Sequence, residues 1–253
     1  MDWYAQFLSQ RQSKPSAMPE TDTKRLRAAG IKSFLLACVM LALQMTIFFI
    51  SAGYAFGIRP WMFFGASFMH YTISTAAQYK LNPELLVQRL KRKRAGSELW
   101  DEILMRVSNL TVLIAVPVVA GLDIGRFQWS SLDIPFAVLG FVFLALSTIL
   151  INWAMAVNPY FEPAVRIQKD RGHTVISSGP YKIVRHPGYL AGILFTLSIP
   201  LIIGSVFTFI PVGIYAVLFI IRTSLEDRTL REELDGYAEY ALQVRYKLLP
   251  GIW

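Results

Sequence analysis

No charged residue occurs between positions 188 and 221, and this run excludes most of the folds open to a chain of 253 residues. As one helix it would extend roughly 51 Å, well past the roughly 30 Å of a bilayer's hydrocarbon. Gly204 and Ser205, with Pro200 and Pro211 on either side, divide it, which predicts a tight hairpin of two short membrane helices. Four more apolar stretches precede it, at residues 33–58, 60–79, 107–122 and 134–161. Only 17% of the chain is charged, against about a quarter in soluble domains, and 54% is hydrophobic. The expected architecture is an all-α, polytopic membrane bundle of about six transmembrane helices. Its last two form a tight hairpin, and a cytoplasmic C-terminal helix follows.

The 25 lysines and arginines are unevenly spread. With both termini on one side, that side receives all of them except Arg59 and Arg126. The positive-inside rule then puts both termini, the 158–187 loop and the tail in the cytoplasm. The same rule accounts for the net charge of +8 without nucleic acid. The run Lys91-Arg92-Lys93-Arg94 reads as an anchor for anionic lipid headgroups. In the N-terminal segment 1–32, Trp3, Tyr4, Phe7 and Leu8 fall at helical spacing and fit an interfacial position. No small-residue cleavage site follows the first apolar run, so that run is expected to stay as an anchor. The lone Cys38 sits in it as a packing residue and allows neither a disulfide framework nor a thiolate metal site. His70 is the single titratable histidine of the second span and, beside Tyr71 and Thr72, reads as a packing residue. The membrane stretches over residues 33–149, with the basic segment 80–106, read as a scaffold.

Gly-rich dinucleotide and phosphate loops, metal-ligand spacings and serine elbows are all missing from the sequence. What remains are two segments flanking the hairpin. The first, 179–189, packs Gly179, Pro180, Tyr181, Lys182, Arg185, His186, Pro187, Gly188 and Tyr189 immediately before hydrocarbon. Pro187 restricts His186 and turns the chain sharply at the membrane. The second follows the last span, with Arg222 and Glu226 one helical turn apart. A tight hairpin brings both segments to the same side, which gathers two arginines and a carboxylate around one interfacial pocket. Equally, Arg185 could snorkel to headgroups and Glu226 could simply pair with Arg222.

The string Gly179-Pro180-Tyr181-Lys182-Ile183-Val184-Arg185-His186-Pro187-Gly188-Tyr189 resembles a motif of the isoprenylcysteine carboxyl methyltransferase and phospholipid methyltransferase superfamily. The tail, with Arg222, Glu226, Asp227, Leu230, Gly236-Tyr237, Tyr240 and Val244-Arg245-Tyr246, is similar to that family's closing segment. The resemblance covers roughly residues 150–253, and it departs at Asp227, where the family usually has a second glutamate. It implies a membrane methyltransferase that uses S-adenosylmethionine from the cytosolic side. By position, Tyr181, His186, Pro187, Tyr189 and Glu226 would line the cofactor. Arg185 and Arg222 would face the acceptor, a lipid or a lipidated small molecule.

A carboxylate acceptor is already nucleophilic, so catalysis would be positioning and charge placement by arginines, with Tyr160, Phe161 and Trp153 excluding water. An amine or thiol acceptor would have to lose a proton, and His186 or Glu226 would then serve as base. Isoprenylcysteine-like carboxylates, phospholipid amines and small thiols all remain open. Two other classes stay in view: a sterol-type reductase using NADPH, whose C-terminal motif is somewhat similar, and a non-enzymatic lipid sensor.

Overall fold

The computed structural model describes residues 20–53, 57–91 and 96–253. The interfacial residues expected at positions 3–8 lie outside this set, as do Arg92, Lys93 and Arg94 of the basic run. Among the described residues there are eight α-helices and no strand. They are α1 (Glu20–Ala52), α2 (Ile58–Leu81), α3 (Pro83–Arg89), α4 (Leu99–Phe127), α5 (Ile134–Val157), α6 (Pro187–Ile203), α7 (Phe209–Glu233) and α8 (Tyr237–Gln243).

Helices α1, α4, α5 and α7 are long and apolar enough to cross a membrane. Helix α6 is apolar but has only 17 residues. Helix α2 has 24 residues but is diluted by Ser67, His70, Thr72, Ser74, Thr75 and Gln78. The outward faces of the bundle remain apolar: Leu35, Val39, Ile50, Val138, Ile149 and Val217 are all exposed. A face of that kind suits hydrocarbon, where helices satisfy their own backbone bonds.

Two of the differences from the expected boundaries bear on the site. The third span begins at Leu99, eight residues before the apolar run at 107, so Asp101 and Glu102 lie in its first turn. The sixth does not stop where charge begins. Helix α7 continues unbroken through Arg222, Glu226 and Asp227 to Glu233. Helix continuity is governed by backbone bonding, which charged residues tolerate once the helix has left hydrocarbon.

Helix α4 widens into a π-turn at Thr111–Ala115, where the Val116 N–H bonds the Thr111 carbonyl. The next carbonyl, Val112, would need the N–H of Pro117, which has none. The Gln44 Nε2 group donates to it instead, at 3.1 Å. At the same end of the bundle, Arg126 donates to the Ile50 and Ser51 carbonyls that close α1. Arg59 donates to the Leu201 and Ile202 carbonyls that close α6. The two cations that fall outside the charge bias thus cap helix C-termini, where carbonyls lack partners.

Two hydrophobic cores result. One runs through the bundle, with Leu41, Phe48, Phe63, Phe64, Val116, Leu144, Ile199, Ile202 and Val212. The other lies at the opposite end from Arg59, where Ala154, Tyr181, Leu234, Tyr237, Tyr240 and Ala241 pack the loop after α5 against the tail. The candidate site lies where these two cores meet.

Candidate active site

The 179–189 segment is shaped by close approach. Gly179 has φ +58°, and a Cβ there would sit 2.9 Å from Trp153 Nε1. Trp153 therefore supports this loop from outside; it does not line either of the cavities described below. The turn Gly179–Lys182 buries Tyr181, whose hydroxyl accepts from Asn158 Nδ2 at 2.9 Å and whose carbonyl accepts from the Tyr240 hydroxyl at 2.6 Å. Burial pushes the Tyr181 phenol above its ordinary pKa, which keeps it neutral. Pro187 starts α6 at the position where a missing N–H costs nothing. At Gly188 the Phe161 ring lies against the backbone so closely that any Cβ would collide with it.

Arg185 is buried and spends its guanidinium inside the protein. Its Nε and Nη2 donate to the two oxygens of Asp227, at 2.6 and 3.0 Å. Its Nη1 donates to the Val244 and Arg245 carbonyls, at 2.6 and 2.9 Å. The backbone joins in: the Arg185 N–H bonds the Tyr246 carbonyl and the His186 N–H bonds the Lys247 carbonyl. The tail is thus latched onto the loop. Asp227 also accepts from Tyr237 Oη at 3.1 Å and Arg231 Nε at 3.1 Å. His186 lies 3.5 Å from the same carboxylate and stacks on Tyr189, with ring planes 12° apart.

Arg222 is held by a residue that the sequence reading missed. Asp101, only 1% exposed, accepts from Arg222 Nε at 2.6 Å and Nη2 at 3.3 Å. Its second oxygen also takes the Val165 N–H at 2.8 Å, and Arg222 Nη2 donates to the Pro163 carbonyl at 2.7 Å. Three segments are tied together in this way: α4, α7 and the loop after α5. The guanidinium lies 4.8 Å from the Tyr189 ring centroid, and the Tyr189 hydroxyl donates to Glu226. Arg222 and Glu226 are therefore not each other's partners, although they are one turn apart.

The loop at 158–176 forms the remaining wall. Arg166 pairs with Glu162 at 3.0 Å and with Asp170 at 2.9 Å, while Arg171 donates to Gln168 and to the Pro159 carbonyl. His173 lies on Tyr160, ring centroids 4.4 Å apart. Burial, and then the cations of Arg166 and Arg171, lowers its pKa from 6.5 to about 4. Between those two values the unfolded chain binds a proton that the folded one refuses, so stability falls as pH drops through that window. The thermal midpoint of the detergent-solubilised protein is expected to decline between about pH 6.5 and 4, and His173→Gln should flatten that slope.

Two cavities meet here. One is an open cleft of about 780 Å³, lined by Tyr160, Gln168, His173, Tyr181, His186, Glu226 and Tyr240 among others. The second, of about 1170 Å³, descends between α2, α4, α5, α6 and α7, with Arg222 at its wall. Phe161, Glu162, Gly188 and Tyr189 line both. The structure thus gathers Tyr181, Arg185, His186, Tyr189 and Glu226 around the cleft and puts Arg222 on the deeper cavity. Pro187 lines neither. Among the described residues no cluster of metal-ligating side chains occurs.

The model of the isoprenylcysteine carboxyl methyltransferase (ICMT) family matches residues 138–232, from the first turns of α5 to the end of α7. No curated protein matches the chain. The matched region holds the 179–189 segment, Arg222, Glu226 and Asp227; it does not reach Asp101 or the tail that Arg185 latches.

Proposed function

We propose that this chain is an integral membrane methyltransferase that moves a methyl group from S-adenosylmethionine to a lipid-like or lipid-attached acceptor at the cytoplasmic interface. One observation carries the reading. An open cleft on the loop side, with Glu226, His186 and Tyr181 on its walls, adjoins at Gly188, Phe161 and Tyr189 a cavity between the membrane helices. A water-soluble donor and a membrane-borne acceptor can reach each other only at such a junction.

The residues of the cleft fit the cofactor. Glu226 is a carboxylate suited to ribose hydroxyls, and Tyr160, Tyr181 and Tyr240 offer aromatic surface. When bound, S-adenosylmethionine supplies an electrophilic methyl on a sulfonium. The chain's part is then positioning. Arg222, locked by Asp101, presents its Nη1 group as a donor to the acceptor, while Phe161 against Gly188 narrows the passage and keeps water from the reacting atoms. Arg185 serves in this account as the latch for the tail rather than as a group that meets the acceptor. The family match makes an isoprenylcysteine-type carboxylate the first candidate acceptor, with phospholipid amines and small thiols as alternatives.

The membrane arrangement follows from the same features. With α2 and α6 also crossing, the chain makes six passes and leaves both termini, the cleft and the tail in the cytoplasm. Support comes from Arg59 and Arg126, the two cations of the opposite end, both spent on capping helices.

Calorimetry with S-adenosylhomocysteine tests the reading. The wild-type protein is expected to bind it, and Glu226→Gln to weaken binding about 10–100-fold, the worth of hydrogen bonds to a charged acceptor. Binding of NADPH in its place would favour the reductase, and binding of neither a lipid sensor.

A further inference from the structure

The deeper cavity carries polar side chains among its apolar ones, in a place where a site for a bare hydrocarbon chain would be dry. Along α6 its lining runs from Gly188 to Thr196, and along α7 from Arg222 back to Tyr215, so it reaches about 10–12 Å below the junction. Four of its side chains, Tyr71, Gln78, Asn109 and Tyr215, make no side-chain hydrogen bond to another described residue. His70 is a fifth open group. Thr148 gives its hydroxyl proton to the Leu144 carbonyl, so His70 Nδ1 must be the donor in their 2.7 Å contact. That tautomer leaves Nε2 a bare acceptor. Polar groups without partners are expensive inside a membrane protein, and helix α2 gives up hydropathy to supply three of them.

Below this layer the character changes. A small, mostly apolar pocket adjoins it at Val112 and Phe195, walled by Phe48, Phe63 and Phe64. The five open polar groups therefore all line the upper 10–12 Å or so, and none of them reaches the pocket below.

We infer that the methyl acceptor is an amphiphile whose hydrogen-bonding groups continue for about 10–12 Å beneath the methylated atom, in the way that phosphate, glycerol and ester groups continue beneath a lipid headgroup. A polyisoprenyl chain beginning directly below the reacting group would leave Tyr71, Gln78, Asn109, Tyr215 and His70 all unpaired. The inference rests on the methyltransferase reading and, among the acceptors open to it, favours a phospholipid-type amphiphile over the isoprenylcysteine type.

The test sets two probes against each other in phosphatidylcholine nanodiscs with the full chain and methyl-labelled S-adenosylmethionine. Dioleoylphosphatidylserine offers a carboxylate and an amine above a polar body, and N-acetyl-S-farnesylcysteine offers a carboxylate above a prenyl chain. Label is expected on the phosphatidylserine by about tenfold over the farnesyl probe, the scale of one or two hydrogen bonds. Tyr71→Phe combined with Asn109→Leu and Tyr215→Phe should erase that preference while S-adenosylhomocysteine affinity holds; Tyr215→Phe alone should shift it part of the way. Labelling of phosphatidylserine no greater than of the farnesyl probe, including none on either, overturns the inference. So does a preference that survives the triple variant. Failure of the wild type to bind S-adenosylhomocysteine would instead remove the methyltransferase reading beneath it.

Discussion

Asp227→Ala should be the most damaging single substitution outside the bundle core. Asp227 is 3% exposed, and its two oxygens neutralise Arg185, which is also buried. Removing one partner of a buried pair strands the other charge and typically costs about 3–5 kcal/mol. Here the stranded guanidinium also holds the Val244 and Arg245 carbonyls, and its backbone pairs with Tyr246. The tail should therefore come loose together with Tyr237 and Tyr240, which wall the cleft. A steep drop in thermal midpoint and loss of S-adenosylhomocysteine binding are expected together. Asp227→Glu, the residue more usual at this place in the family's motif, keeps the charge and should retain most of both. If alanine leaves the midpoint and binding unchanged, the latch is not what closes the cleft.

Asp101→Asn should separate binding from turnover. Asparagine can still accept the Val165 N–H, but it leaves the Arg222 cation without a counter-charge. The cleft proposed for the cofactor does not include Arg222, whereas the deeper cavity does. A loss of about 10–100-fold in acceptor kcat/KM is expected, equivalent to roughly 1.4–3 kcal/mol, with S-adenosylhomocysteine affinity changed little. Because the two residues act as a pair, Asp101→Asn and Arg222→Met should be non-additive in the double variant. Equal damage to cofactor and acceptor constants would mean that Asp101 merely supports the fold.

What the sequence reveals and what it hides follow from the range of each interaction. Hydrocarbon length, glycine and proline positions and the charge bias are local, so the helical bundle, the break near Gly204 and the sharp turn at 179–189 are legible. The pairing of Arg222 is not. Its partner is 121 positions away in a segment whose Lys91–Arg94 run disguises it as a basic loop. A faint signal exists: Asp101, Met105 and Ser108 share one helical face, and an acid on a face that continues into an apolar run is expensive unless paired. Arg185 illustrates the reverse case. Its motif marks it as functional, yet nothing in the spacing tells whether an arginine meets a ligand or a neighbouring carboxylate. Gln168 and His173 escaped for a third reason, since the loop at 158–176 has no periodicity to read.

The measurement that bears most directly on the central claim uses the purified chain in nanodiscs with methyl-labelled S-adenosylmethionine and a membrane lipid extract. The account predicts label in an organic-extractable product, reduced by an order of magnitude or more in Glu226→Gln, the cost of losing charged hydrogen bonds. Release of the label by mild base would identify an ester, and resistance an amine or thiol product. No label in any extractable product from a protein that instead oxidises NADPH would contradict the account.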